Sequence, residues 1–250
     1  MKVHWVGHAT ALIEVGGRRI LTDPLLTRRV AHLRRRRELP GPDVADVDTV
    51  LLSHAHIDHL HIPSLRRISP DTRFVTPFGT GRLLRAAGFT DVTEVRVGDT
   101  VHLDGPLVTA EVVPAAHKHG RGPHSRVSAP PVGYVVSGEG QRVYFPGDTD
   151  LFAGMESLHD IDIALLPIWG WGSSLGVGHL DPTRAATATG LIRPGIVVPI
   201  HWGTYAPEDG RRQLPSWFET PPDLFATALE DADLSSRLHV LQPGESVTVS

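Results

Sequence analysis

Residues 54 to 61 read His-Ala-His-Ile-Asp-His-Leu-His, so His54, His56, Asp58 and His59 place four metal-ligating side chains within six positions. A fold that contains this segment must bring the apolar run Val50-Leu51-Leu52 in as a strand and then turn so that the donors converge. In an extended segment, residues two apart point to the same side, which lets His54 and His56 address one ion. A helix entered after them would swing Asp58 and His59 toward a neighbouring position, where a second ion fits. The bland alternative is a polar helix N-terminus capped by Asp58, with the imidazoles merely solvated.

Further donors lie at the ends of other apolar stretches. His117 closes Val112-Val113-Pro114-Ala115-Ala116, Asp148 follows Val143-Tyr144-Phe145-Pro146-Gly147, and His201 follows Ile196-Val197-Val198-Pro199-Ile200. Singly they read as a loop histidine, a capping Asp and a half-buried histidine. Together with the first cluster they supply enough imidazole and carboxylate for two tetrahedral or five-coordinate ions, with Asp148 as the natural bridging carboxylate.

These ordered motifs, with Phe145-Pro146-Gly147-Asp148-Thr149 and Pro199-Ile200-His201-Trp202-Gly203-Thr204, resemble the metallo-β-lactamase superfamily of metal-dependent hydrolases across nearly the whole chain. Trp5-Val6-Gly7-His8-Ala9-Thr10, Thr22-Asp23-Pro24 and Gly178-His179-Leu180-Asp181-Pro182 are similar to the branch of ascorbate-6-phosphate lactonase-like and N-acyl-phosphatidylethanolamine phospholipase D-like proteins. The resemblance implies an α/β (α+β) architecture, a four-layer αββα sandwich with two divalent ions between the sheets, Zn first and Mn or Fe as alternatives. His54, His56 and His117 would hold one ion, Asp58, His59 and His201 the other, and Asp148 would bridge. It further implies that water activated between the ions cleaves an ester-type bond, a lactone or phosphodiester, with Asp58 orienting the nucleophile and His179 facing a small-molecule or phospholipid-like substrate. No organic cofactor site is expected.

Composition is compatible with this reading. A chain of 250 residues with 40% hydrophobic content suits one α/β domain over residues 1–250. Zero cysteines removes disulfides and thiolate ligands, leaving a histidine and carboxylate site. There is no apolar run approaching ~20 residues, so no transmembrane segment is expected. The chain opens directly into the strand-like Val3-His4-Trp5-Val6 without a signal-like stretch, which makes cytoplasm the default. A net charge of -4 argues against a stable nucleic-acid partner. A homo-oligomer is compatible with the sequence but not specified by it.

Gly16-Gly17 between Ala11–Val15 and Arg18–Thr22 predicts a hairpin, and Gly138-Glu139-Gly140 predicts another joining Tyr134–Val136 to Arg142–Phe145. Helices are expected over Thr80–Ala87, Thr183–Ile192 and Asp223–Glu230. Strands are expected over Ile161–Leu166, Gly195–Ile200 and Ser246–Val249. The basic run Arg34–Arg37, preceded by Arg28 and Arg29, reads first as a solvated face and second as a binder of phosphate. The Gly-, Pro- and His-rich segment His117–Gly133 reads as a mobile loop over the site. Trp169 and Trp171 could wall an apolar substrate. His8 is expected to orient a ligand, while His4, His61, His119 and His124 are not counted as ligands. Rival classes are a metal-dependent nuclease or nucleic-acid-binding protein, and a di-iron redox protein.

Overall fold

The computed structural model describes residues 1–38, 43–104, 107–122, 125–170, 172–208 and 214–249. Trp171 and His124 therefore lie outside the described residues.

The chain begins with β1 (Lys2–Gly7), β2 (Thr10–Val15) and β3 (Arg18–Thr22), followed by the short β4 (Arg29–Val30) and β5 (Leu33–Arg35) and by β6 (Thr49–Leu51). Helix α1 (Ile62–Leu65), β7 (Arg73–Pro77), α2 (Gly81–Ala86) and β8 (Val92–Val95) come next. The second half carries β9 (Thr100–Asp104), β10 (Val108–Pro114), β11 (Val132–Gly138), β12 (Gln141–Phe145), β13 (Ile163–Pro167), α3 (Pro182–Ile192) and β14 (Ile196–Ile200). It closes with β15 (Tyr205–Pro207), α4 (Pro221–Asp231) and β16 (Ser246–Thr248).

Two large sheets result. A seven-stranded sheet runs β16-β1-β2-β3-β6-β7-β8, and a six-stranded sheet runs β14-β13-β12-β11-β10-β9. Each mixes antiparallel hairpins with parallel strands, as β3, β6, β7 and β8 in the first and β12, β13 and β14 in the second pair in parallel. The β2–β3 hairpin turns on Gly16 and Gly17, at φ +56° and +72°, and this left-handed pair suits the primed turn that matches strand twist. The β11–β12 hairpin turns similarly on Glu139 and Gly140.

Alternation along the strands explains the layering. On the first sheet Trp5, Ile13, Ile20, Leu51 and Val75 face the second sheet, in a core shared with Val112, Tyr134, Val136, Val143 and Phe145. Val6, Leu12, Leu21, Val50 and Phe74, one residue removed, join Leu65 of α1 and Leu84 of α2 in a separate cluster on the outer face. The shared core continues through Leu165 and Val197 to Ala185 and Ile192 of α3 and Phe225 and Leu229 of α4. Helix, sheet, sheet, helix is the four-layer order expected from the motifs.

A third, three-stranded sheet, β15-β5-β4, was not legible as strands in the sequence. It absorbs the basic run. Arg35 is buried and pairs across the ladder with Tyr205, while Arg34 pairs with Ala206 and reaches Glu208 at 2.9 Å. Arg34–Arg37 is thus partly a structural edge and not simply a solvated face. Among the described residues no helix is long and apolar enough to cross a membrane.

Candidate metal centre

The chain leaves β6 with Leu52 bonded to Val75 and then coils through Ser53 to His61. The backbone N–H groups of His59 and Leu60 both donate to the carbonyl of His56, making a tight turn. The expected helix at Asp58 is absent, and α1 begins only at Ile62. Pro63 supplies the reason: without an N–H, and with its ring against the carbonyl four residues back, it cannot continue a helix begun at Asp58. Arg121 clamps the turn, donating to the carbonyls of Ala55 and Leu60 at 3.0 Å each. The segment after His117 is anchored at Arg121 and by a bridge between Gly120 and Ser128.

Convergence is tight. His54 Nε2 and His117 Nε2 each lie 3.0 Å from His56 Nδ1. Next to them, His59 Nε2 and His201 Nε2 are 3.3 Å apart, and Asp58 Oδ2 is 3.8 Å from His59. Asp148 faces both sets, with Oδ2 3.3 Å from His59 Nε2 and 3.9 Å from His117 Nε2, and Oδ1 3.2 Å from His201 Nε2. Two four-membered groups of donor atoms emerge, His54/His56/His117/Asp148 and His8/Asp58/His59/His201, with a smaller third, Asp23/His54/His59, drawing on both, each within 4.8 Å. All seven sequence-predicted ligands are brought together, and His8 joins them through a 3.1 Å contact with Asp58.

The outer ring nitrogens fix the inner ones. His117 Nδ1 donates to the carbonyl of Gly178 at 2.6 Å and His201 Nδ1 to that of Trp169 at 2.8 Å. His59 Nδ1 donates to Asp23 at 2.7 Å. His54 Nδ1 donates to Ser53 Oγ at 2.9 Å, and that hydroxyl passes its own proton to Asp23. With Nδ1 protonated, the neutral His54, His117 and His201 each offer an Nε2 lone pair inward. Ring nitrogens meeting at 3.0–3.3 Å need either a shared proton or a cation between them. Ligands about 2.0–2.1 Å from a tetrahedral ion are about 3.3 Å from one another, so the spacing fits a metal. Asp148 Oδ1 is buried without a hydrogen-bond partner, which an ion would supply. Asp23 and Ser53 were not assigned to the site from the sequence; the available signal was Asp23's place at the end of β3, the strand-end position shared by the other donors.

Residues 18–202 match the family model described as the beta-lactamase superfamily domain. The chain belongs to the metallo-β-lactamase superfamily. It is 33% identical to a UPF0173 metal-dependent hydrolase of Methanopyrus kandleri, over 98% of this chain and 99% of that protein. It is 31% identical to an N-acyl-phosphatidylethanolamine-hydrolyzing phospholipase D of Caenorhabditis elegans, over 80% of this chain and 63% of that longer protein. Among solved structures it is similar to Igni18, a metallo hydrolase of Ignicoccus hospitalis, at 27% identity and a TM-score of 0.73, covering 100% of this chain and 98% of that one.

Electrostatics in this superfamily member follow from burying many imidazoles beside carboxylates. Burial pushes His8 down to about 3 and His117 down to about 4, and lowers His54, His56 and His201 as well. His59 goes the other way. Burial opposes its charge, but Asp148, Asp58 and Asp23 around it outweigh that cost and raise it well above an ordinary histidine. Asp58 and Asp148 are held well below the carboxylate range, because neighbouring imidazoles overcome their burial. The carboxylates are therefore ionised at neutral pH and ready as ligands. His8 and His201 both adopt left-handed backbone, φ 55° and 65°, and are joined by a bond from His201 N–H to the His8 carbonyl. Such conformations cost about 1–3 kcal/mol each and gather at functional sites.

His179 stands at the rim. Its Nδ1 lies 3.0 Å from the Gly176 carbonyl, its Nε2 3.6 Å from Asp148, and its side chain is 23% exposed. Asp181 caps α3 just beyond it by accepting from Arg184 N–H at 2.8 Å. Trp169 bonds Gly172 through its indole and is only partly buried. His61 bonds Ser64 instead of joining the cluster, and His4 pairs with Glu14.

Proposed function

We propose that this hydrolase holds two divalent ions and cleaves an ester-type bond, a lactone or a phosphodiester, within one domain over residues 1–250. The observation that carries the reading is Asp148, whose Oδ2 lies between His59 of one ligand group and His117 of the other, while its buried Oδ1, 3.2 Å from His201, lacks any hydrogen-bond donor. His54, His56 and His117 would hold one ion and Asp58, His59 and His201 the other. Zn²⁺ suits the imidazole and carboxylate set, and Mn²⁺ or Fe would also fit. When bound, such ions polarise a carbonyl or phosphoryl oxygen and lower the pKa of water toward ~7.

The chain's own residues supply orientation and proton handling. Asp58, which His8 grips, would accept a hydrogen bond from the attacking water and so aim it. His179 sits on the open side of Asp148, where its Nε2 can donate to a leaving group or to a substrate phosphate or carboxylate. The similarity to a phospholipase D that hydrolyses an N-acyl phospholipid favours the phosphodiester.

The deciding experiment is a hydrolysis screen of lactones, phosphodiesters and N-acyl phospholipids, run with the Zn²⁺ and Mn²⁺ forms in parallel. Turnover of one ester class that disappears on chelation and returns with metal is expected. Metal-loaded protein inactive on all three classes would remove the proposed reaction.

A further inference from the structure

A cavity of about 560 Å³ lies beside the small third sheet and is lined by six arginines, Arg28, Arg34, Arg35, Arg36, Arg37 and Arg67, against one carboxylate, Glu38. The whole chain carries a net charge of -4, so this concentration of positive charge runs against the molecule's balance.

Little nearby neutralises it. Arg34 shares Glu208 with Arg29 on the outer surface, and Arg37 approaches Glu219 at 3.7 Å. Among the described residues Arg28, Arg35, Arg36 and Arg67 have no carboxylate partner. Three of them are instead held by carbonyls: Arg35 donates to Leu25 at 3.3 Å and Glu38 at 3.2 Å, Arg36 to Pro207 at 2.7 Å, and Arg67 to Leu26 at 2.7 Å. Carbonyls fix the guanidinium planes but leave the charge in place. Arg35 is buried, and Arg36 Nε is buried without any hydrogen-bond partner. Orientated, partly desolvated guanidinium groups without carboxylate partners are a receptor for a multivalent oxyanion, which arginine binds bidentately.

We propose that this cavity binds a small phosphate-bearing anion, at a site separate from the metal centre. Its volume falls within the ~300–1,000 Å³ of ordinary small-molecule pockets. A concave, confined cluster suits a compact phosphate better than a nucleic-acid strand, which needs an extended basic track. The site shares a wall with the metal centre: Arg35 Nε lies 3.3 Å from Tyr205 Oη, and the Tyr205 ring packs edge-on at 5.7 Å from that of His8. The proposal does not depend on the hydrolytic reading.

Calorimetric titration of inorganic phosphate and pyrophosphate into the full chain, metal-loaded and metal-stripped, tests it, with chloride at matched ionic strength as control. Pyrophosphate is expected to bind both forms, and Arg28→Glu and Arg36→Gln are each expected to weaken binding roughly ten- to a hundredfold. His54→Ala should leave it intact. Arg28 is exposed and makes no side-chain hydrogen bond among the described residues, so its variant reports even where Arg36→Gln loosens the fold. Binding that vanishes with the metal, survives both arginine changes or is reproduced by chloride overturns the site. So does binding of a short single-stranded oligonucleotide without binding of pyrophosphate.

Discussion

Asp23 joins the two ligand groups: its Oδ2 accepts from His59 Nδ1 at 2.7 Å and from Ser53 Oγ, whose oxygen in turn accepts from His54 Nδ1 at 2.9 Å. One carboxylate thereby sets the tautomer of a histidine on each side. Its Oδ1 is also occupied, by the Ser53 backbone N–H at 2.8 Å. Gly147 makes room for this arrangement, since a Cβ there would sit 2.2 Å from Ser53 Oγ.

Asp23→Asn should therefore weaken binding at both ions, not at one. Loss of an orienting partner typically lowers metal affinity about 10–100-fold. Metal titration by competition with a chelator measures the effect, and melting of the metal-free protein separates it from simple destabilisation. A variant that melts earlier yet binds both ions with native affinity would reduce Asp23 to a packing role.

Asp148→Ala should cut stoichiometry, because one residue faces both groups, His59 and His201 on one side and His117 on the other. Wild-type protein reconstituted with metal is expected to carry about two ions, since seven donors exceed one tetrahedral shell. Elemental analysis of the variant should show a clear loss, with activity falling far more than melting temperature. A capping role alone would cost about 1 kcal/mol and leave metal content unchanged.

The residues of the candidate metal centre were readable as a cluster because they stand where apolar runs stop, and strand ends are where loops converge in layered α/β folds. The helices α2, α3 and α4 and both glycine hairpins were readable for equally local reasons. The turn at Ile57–His59 was misread as a helix because Pro63, five residues beyond Asp58, was not weighed as a stop. The β15-β5-β4 sheet escaped because its strands span two or three residues and pair Arg34 and Arg35 with residues some 170 positions away. His8 was readable as an orienting residue only through the family resemblance, and Asp23 only through its strand-end position; neither is spaced toward the 54–59 cluster, and the tertiary fold brings them to Asp58 and His59.

Acid should destabilise the metal-free protein. His8, held down to about 3, His117, held down to about 4, and the similarly lowered His54, His56 and His201 are neutral in the fold while the unfolded chain takes up protons near ~6.5. Between these limits the unfolded state binds more protons, so stability falls as pH drops. His59 has the opposite sign: its raised pKa contributes stability that is fully present below ~6.5 and lost as pH rises through its folded value. The lowered histidines, joined by Asp58 and Asp148, whose depressed values also cost stability in acid, outweigh the one raised group. Melting temperatures of chelated protein should decline from about pH 7 to about pH 4.5, and a flat or rising profile would contradict the packing of neutral imidazoles described above.

His179 tests the rim of the site. It approaches Asp148 at 3.6 Å but belongs to neither donor group, so His179→Ala should keep both ions and the fold. As a proton donor to the leaving group, its loss should lower turnover by roughly 10²-fold or more. If it instead holds a substrate phosphate or carboxylate equally in ground and transition states, KM should rise with kcat nearly unchanged. A substrate with a very good leaving group separates the two, because it needs little protonation and rescues the variant only in the first case. Wild-type kinetics on every active substrate would make His179 an ordinary loop residue ahead of α3.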